Sequence, residues 1–171
     1  WLDPSIYCVL GFVTREMGLF VKRGNPLNIT GLHSLVDPTI TFVNRDAGSG
    51  TRLLFEQLLA QEKIESDRIP GYQNVELTHA AVAAHVARGM ADTGFGVEAA
   101  AVEFDLDFVH VIREDYFFLC RSNILNSKPI ERLREIISGT DYRRAVSTLP
   151  GYAVSDAGIV KTVKKFFREN S

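Results

Sequence analysis

The chain has 171 residues, 46% hydrophobic and 23% charged, enough to bury a core of ordinary globular size. Nineteen Lys and Arg against 21 Asp and Glu leave a formal net charge of −2, so the basic excess of a nucleic-acid binder is missing. No apolar run approaches the roughly 18–20 residues of a membrane span, and two cysteines are too few for a disulfide scaffold.

The chain opens abruptly at Trp1-Leu2-Asp3-Pro4, without an initiator Met or a signal pattern. It reads as a piece of a longer polypeptide. Cys8 lies in an apolar, strand-like run, as does Cys120 later; both read as small buried hydrophobes, with no short-spaced partners for a metal. Gly18 to Lys22 reads as a strand closed by the turn Arg23-Gly24-Asn25-Pro26. Gly31 to Val36 reads as one helical turn, and Ile40 to Asn44 as a second strand. A loop, Arg45 to Gly50, leads into a helix from about Thr51 to Glu62, with Leu54, Phe55, Leu58 and Leu59 on its buried face. Pro70-Gly71 is a turn. Thr78 caps a helix from His79 to Arg88, ended by Gly89.

Thr93 to Val97 reads as a buried strand and Glu98 to Phe104 as a short helix. Phe108 to Ile112 and Tyr116 to Cys120 read as two further strands. Pro129 to Ile137 reads as a helix with Ile130, Leu133, Ile136 and Ile137 inward. A last helix is expected after Asp156, with Ile159, Val160, Val163, Phe166 and Phe167 on one face. Its other face, Lys161, Lys164, Lys165 and Arg168, reads as solvated. Strands separated by helices indicate an α/β fold with a mostly parallel sheet.

Phe42 to Arg52 carries the chemistry. A strand runs into a Gly-rich loop that opens a helix, presenting backbone N–H groups and the positive end of the helix dipole. Ser49 and Thr51 add hydroxyls, Arg45 and Arg52 add positive charge, and Gly48 and Gly50 allow close backbone approach. These are the parts of a small-oxyanion site. The spacing is not that of a Walker A loop or a dinucleotide fingerprint. A plain helix cap and turn would need the same Ser and glycines, and the arginines tip the reading toward the anion. Thr78 is a cap or a second anion donor, and His79 a ligand contact or an internal hydrogen-bonding group. Asp92 and Glu98 read as a brace and a helix-dipole partner, and Tyr116 as core or cleft. His33, His85 and His110 lack mutual metal-ligand spacing. No nucleophile–base pair or paired carboxylates suggest an enzyme.

Asn44-Arg45-Asp46-Ala47-Gly48-Ser49-Gly50-Thr51-Arg52 resembles the Asn-Arg-x-x-Gly-Ser-Gly-Thr-Arg segment of a periplasmic-binding-protein-like domain family. Those domains occur fused to helix-turn-helix or molybdopterin-biosynthesis modules. Arg15 to Leu19 with Gly24-Asn25-Pro26, Thr78 to Ala84, Gly89 to Ala100, and Leu149 to Tyr152 extend the likeness over nearly the whole chain. The resemblance implies a type II two-lobe α/β fold and a single substrate-binding-protein-like domain over 1–171. Residues 27–107 would form the second lobe; 1–26 and 108–171 would supply the hinge strands and the rest of the first. It also implies a binding or sensing module, not an enzyme, that closes on a molybdate- or tungstate-type oxyanion. Arg45, Ser49, Gly50, Thr51, Thr78 and His79 would be the ligand-binding residues, with no metal or cofactor. The alternative is an anion-handling enzyme or subunit in molybdenum-cofactor assembly. The expected partners are the anion and a fused or partner domain that reads out closure, with no direct nucleic-acid contact. A cytoplasmic setting is expected, with a periplasmic one as the alternative. Family domains begin with an additional βα segment that has no counterpart before Trp1. The first lobe is therefore expected to be incomplete, with a dimer covering its open surface or a weak, open site as the consequence.

Overall fold

A computed structural model of the chain describes residues 3–169; Trp1, Leu2 and residues 170–171 lie outside the described part. The strands are β1 (Tyr7–Val21), β2 (Phe42–Arg45), β3 (Val75–Glu76), β4 (Thr93–Val97), β5 (Asp107–Arg121), β6 (Tyr152–Ala153) and β7 (Val160–Thr162). The helices are α1 (Gly50–Gln61), α2 (His79–Ala87), α3 (Glu98–Glu103), α4 (Lys128–Ser138), α5 (Thr140–Ser147) and α6 (Val163–Glu169). Among the described residues, no helix is long and apolar enough to cross a membrane. The chain forms two compact units. One is Glu16–Arg113; the other joins the described residues up to Arg15 with those from Glu114 onward. β1 and β5 therefore each contribute to both units.

In the Glu16–Arg113 unit the strand order is β3-β2-β4-β1-β5. β2 pairs in parallel with β3 and β4, whereas β1 runs antiparallel to β4, Leu19 facing Phe95. The sheet is thus mixed, not mostly parallel. The departure comes from β1, which lies between β4 and β5 in the order and runs opposite to the parallel set. Met17, Leu19, Phe20, Phe42, Val43, Phe55, Val82, Val86 and Phe95 are all essentially fully buried in one core. Phe55 of α1 lies between Phe42 and Phe95, ring centroids 4.9 and 5.2 Å away. α2 packs on β4 so closely that a Cβ at Gly94 would meet Val82 Cγ1 at 2.4 Å and Val43 O at 2.9 Å. Glycine is what admits the helix there.

In the other unit, β1 pairs antiparallel with β6 (Thr14 opposite Ala153) and with β7 (Val9 opposite Lys161). Cys8, Leu10, Cys120, Ile137 and Ala157 form a small core beneath α4 and α5. Two expectations are corrected here, and one helix is added. The two strands expected over 108–112 and 116–120 are one, because the charged interruption Arg113-Glu114 is absorbed by ion pairs. Arg15 Nε binds Glu114 Oε2 at 2.7 Å, and, within the larger unit, Arg113 Nε binds Glu16 Oε1 at 2.8 Å. The last helix begins only at Val163, because Val160–Thr162 alternates as a strand after a left-handed turn at Gly158 (φ +80°). α5 was not foreseen, since Tyr142 and Val146 are its only large apolar residues.

Candidate functional site

β2, β3 and β4 are parallel, and each is followed by a helix, α1, α2 and α3. Their N-termini therefore gather at one edge of the sheet, beyond the carboxyl ends of the strands, where ligands of open α/β sheets bind. The three ends differ in charge. Glu98 stands in the first turn of α3, whereas the first turns of α1 and α2 contain no acid. Two of the three helix dipoles thus reach the edge uncompensated by their own first turns.

The loop from β2 to α1 is built by local hydrogen bonds. The Asp46 carboxylate accepts from Gly48 N at 2.9 Å, and Asp46 O accepts from Ser49 N at 3.0 Å. Ser49 is the N-cap of α1: its Oγ accepts from Arg52 N at 3.1 Å and donates to Asp46 O at 2.8 Å. Its one proton is committed to the loop, so here Ser49 serves as a cap and not as the hydroxyl donor expected of it. Gly50 N and Thr51 N, the first helical donors, have no carbonyl to reach within the helix. A Cβ on Gly50 would meet nothing within 4 Å, so open space adjoins this end.

Thr51 and His79, drawn from segments 28 residues apart, meet here. Thr51 Oγ1 lies 3.4 Å from His79 Nε2, with donor and acceptor set by the imidazole tautomer. The His79 ring rests over Gly96, where a Cβ would come within 2.7 Å of Nδ1. Thr78 caps α2, its Oγ1 accepting from Ala81 N at 3.0 Å. That bond uses a lone pair and not the hydroxyl proton. Arg45, at the carboxyl end of β2, donates from Nη2 to Leu77 O at 3.0 Å. Its guanidinium thus ties the α1 loop to the turn that enters α2. Among the described residues, no group of three His, Cys, Asp or Glu side chains is placed to hold a metal ion.

Arg52, expected to add charge to the loop, points elsewhere. Its Nε binds Glu56 Oε1 at 2.7 Å, its guanidinium carbon lies 4.2 Å from the centre of the Tyr72 ring, and Nη1 donates to Arg45 O at 3.3 Å. Tyr72 closes the clamp by donating to Glu56 Oε1 at 3.1 Å. The i, i+4 spacing of Arg52 and Glu56 was the available signal for this pairing. Tyr72 gave none. Asp92 braces the opposite edge of the sheet, accepting from Thr41 N at 2.8 Å. It also lines a cavity of about 120 Å³ with Lys22, Asn25 and Leu27, away from the helix N-termini. Tyr116 belongs to the other unit, under the Arg15 guanidinium at 4.4 Å.

Residues 1–138 match the model of the PBP superfamily domain. The chain belongs to the PBP superfamily. Its relative YvgK of Bacillus subtilis (strain 168) is 33% identical over 159 residues, which cover 93% of this chain and 51% of YvgK. This PBP domain therefore spans about half the length of that relative. Among solved structures, an ABC-type phosphate transport receptor from Vibrio cholerae superposes with a TM-score of 0.64 at 15% identity, covering 91% of this chain and 77% of the receptor. The substrate-binding domain of a molybdenum ABC transporter from Clostridium difficile gives 0.59 at 14% identity, covering 86% and 67%. At such identities the likeness speaks for the fold, which is the α/β fold of PBP-like substrate-binding proteins.

Proposed function

We propose that this PBP domain binds a small tetrahedral oxyanion at the α1 and α2 N-termini, by binding alone and without turnover. The observation that carries the reading is the meeting of Thr51 and His79 at two helix ends that lack acidic first-turn residues. An anion there would receive the Gly50 and Thr51 N–H groups and the Thr51 and Thr78 hydroxyls. Arg45 would add its charge, and each charge-assisted bond would be roughly twice as strong as a neutral one. His79 would act as a further donor when its ring nitrogen carries a proton toward the ligand. The phosphate receptor and the molybdenum transporter domain with the same fold support an anion of phosphate or molybdate type.

Isothermal titration with molybdate, tungstate, phosphate and sulfate tests the reading. One of the four should bind with a stoichiometry of one, and Arg45→Ala should weaken it. Heat signals absent for all four, or identical in Arg45→Ala, would count against it. Closure on the bound anion, read by a fused or partner domain, is the remaining part of the proposal. Its test is a fall in the radius of gyration, by small-angle scattering, when the anion is added.

A further inference from the structure

We propose that Cys8 and Cys120 are a redox-modifiable pair that closes into a cross-strand disulfide. Both are free, and both are buried in the same small core with Leu10, Ile137 and Ala157. Their positions follow from the register of β1 against β5. Ser122 N donates to Ile6 O at 2.8 Å, and the Cys8 thiol donates to Cys120 O at 3.5 Å. Farther along, the Arg15–Glu114 ion pair keeps the opposite chain directions, so the two strands run antiparallel. Counting two residues inward from Ile6 and Ser122 puts Cys8 directly opposite Cys120.

Directly opposite residues of an antiparallel pair that exchange hydrogen bonds have Cα atoms about 5.5 Å apart. Disulfide-linked residues usually lie about 4.4–6.8 Å apart by the same measure. Both side chains belong to the small core under α4 and so share one face of the sheet. Directly opposite Cβ atoms lie about 4.5–5.5 Å apart, so the strand ends must draw together slightly to reach the roughly 3.5–4.5 Å of a disulfide. Burial raises the Cys120 thiol above its ordinary range, and the neighbouring Cys8 adds to this. The pair is thereby slow to react in the closed fold. Access comes from the strand ends: Cys8 is the second residue of β1 and Cys120 the second-last of β5, where local opening is cheapest.

The chemistry needs a disulfide oxidant such as oxidised glutathione. One cysteine, as thiolate, attacks the oxidant, forming a mixed disulfide and releasing one glutathione thiol. The second thiolate then attacks the protein sulfur of that mixed disulfide, closing the Cys8–Cys120 bond and releasing the second thiol. Two electrons pass from the protein to the oxidant, and the two protons leave with the released thiols. The product staples β1 to β5 within one unit, closing a loop of 112 residues in sequence separation.

The test incubates the purified chain with oxidised glutathione in mild urea below the unfolding midpoint, then measures thiols and intact mass after full denaturation. The expected result is a fall from two free thiols to none, a mass lower by two hydrogens, and a proteolytic peptide linking Cys8 to Cys120. Cys8→Ser should stop at a single glutathione adduct, and the oxidised wild-type chain should show a higher urea midpoint, restored to its starting value by reductant. Persistence of two thiols, an adduct on each cysteine without closure, or linkage only between two chains would overturn the proposal.

Discussion

Arg52 is the sharpest place to separate the support of the loop from its binding. Replacing it by Ala removes the ion pair to Glu56, whose carboxylate end is half exposed, so that contact is worth only about 0.5 kcal/mol after screening. The guanidinium against the Tyr72 ring is more enclosed and contributes about 1 kcal/mol. The bond to Arg45 O adds about 1 kcal/mol, because its loss leaves a carbonyl half-buried without that donor. Together the substitution should cost about 2–3 kcal/mol, measured as the shift of a urea unfolding transition at constant m-value. In a domain of this size the melting midpoint should fall by roughly 4–12 °C. Arg52→Lys keeps a charge but not the planar fork, and should lose about half as much. Anion affinity of Arg52→Ala, measured well below its melting midpoint, should stay within about twofold of the parent. A loss of tenfold or more in affinity with unchanged stability would refute the assignment of Arg52 to the clamp and return it to the ligand.

Arg45→Ala should behave in the opposite way, weakening oxyanion binding by about 2–4 kcal/mol while the fold persists; titration calorimetry beside a thermal melt checks both halves. Gly96→Ala places a methyl group 2.5 Å from Phe20 Cζ and 2.7 Å from His79 Nδ1, so it should displace the imidazole, cost about 1–3 kcal/mol and weaken anion binding. A variant of unchanged affinity would show that His79 is not needed where it stands. Burial raises the hydroxyls of Tyr72, Tyr116 and Tyr142 and the thiol of Cys120 above their ordinary values of 10.0 and 9.0. The fold favours their protonated forms, so stability is unaffected by these groups well below their ordinary values and should decline as pH rises past 9.0 and then 10.0. Melting midpoints that stay flat across that window would contradict it.

The parts of the fold that sequence made legible are those where one local rule acts alone. Thr78 followed by an Ala/Val-rich run and Gly89 reads as a capped helix, and Thr93 to Val97 reads as a buried strand. What stayed hidden depends on partners far away in sequence. Arg113-Glu114 interrupts an apolar pattern and reads as a break until Glu16 and Arg15 are placed opposite. Val160 shares a helical face with Val163 and Phe166 on paper, yet β1 supplies a backbone edge that draws Val160–Thr162 into a strand. At the site, the loop and the two caps were visible from residue type. That Ser49 spends its proton on Asp46 O, and Arg52 its charge on Glu56 and Tyr72, was not, since each competing acceptor is set by how the chain folds back.

The most direct test of the anion site is an amide-resolved NMR titration of the chain with whichever of molybdate, tungstate, phosphate or sulfate gives heat. If the account is right, the largest shifts fall on Gly50, Thr51, His79 and Ala80, the open donors of α1 and α2, with smaller ones at Val97 and Glu98. The same titration of Arg45→Ala should leave those amides nearly unmoved. Saturable shifts centred on residues away from the α1 and α2 N-termini, with Gly50 and Thr51 silent, would contradict the account.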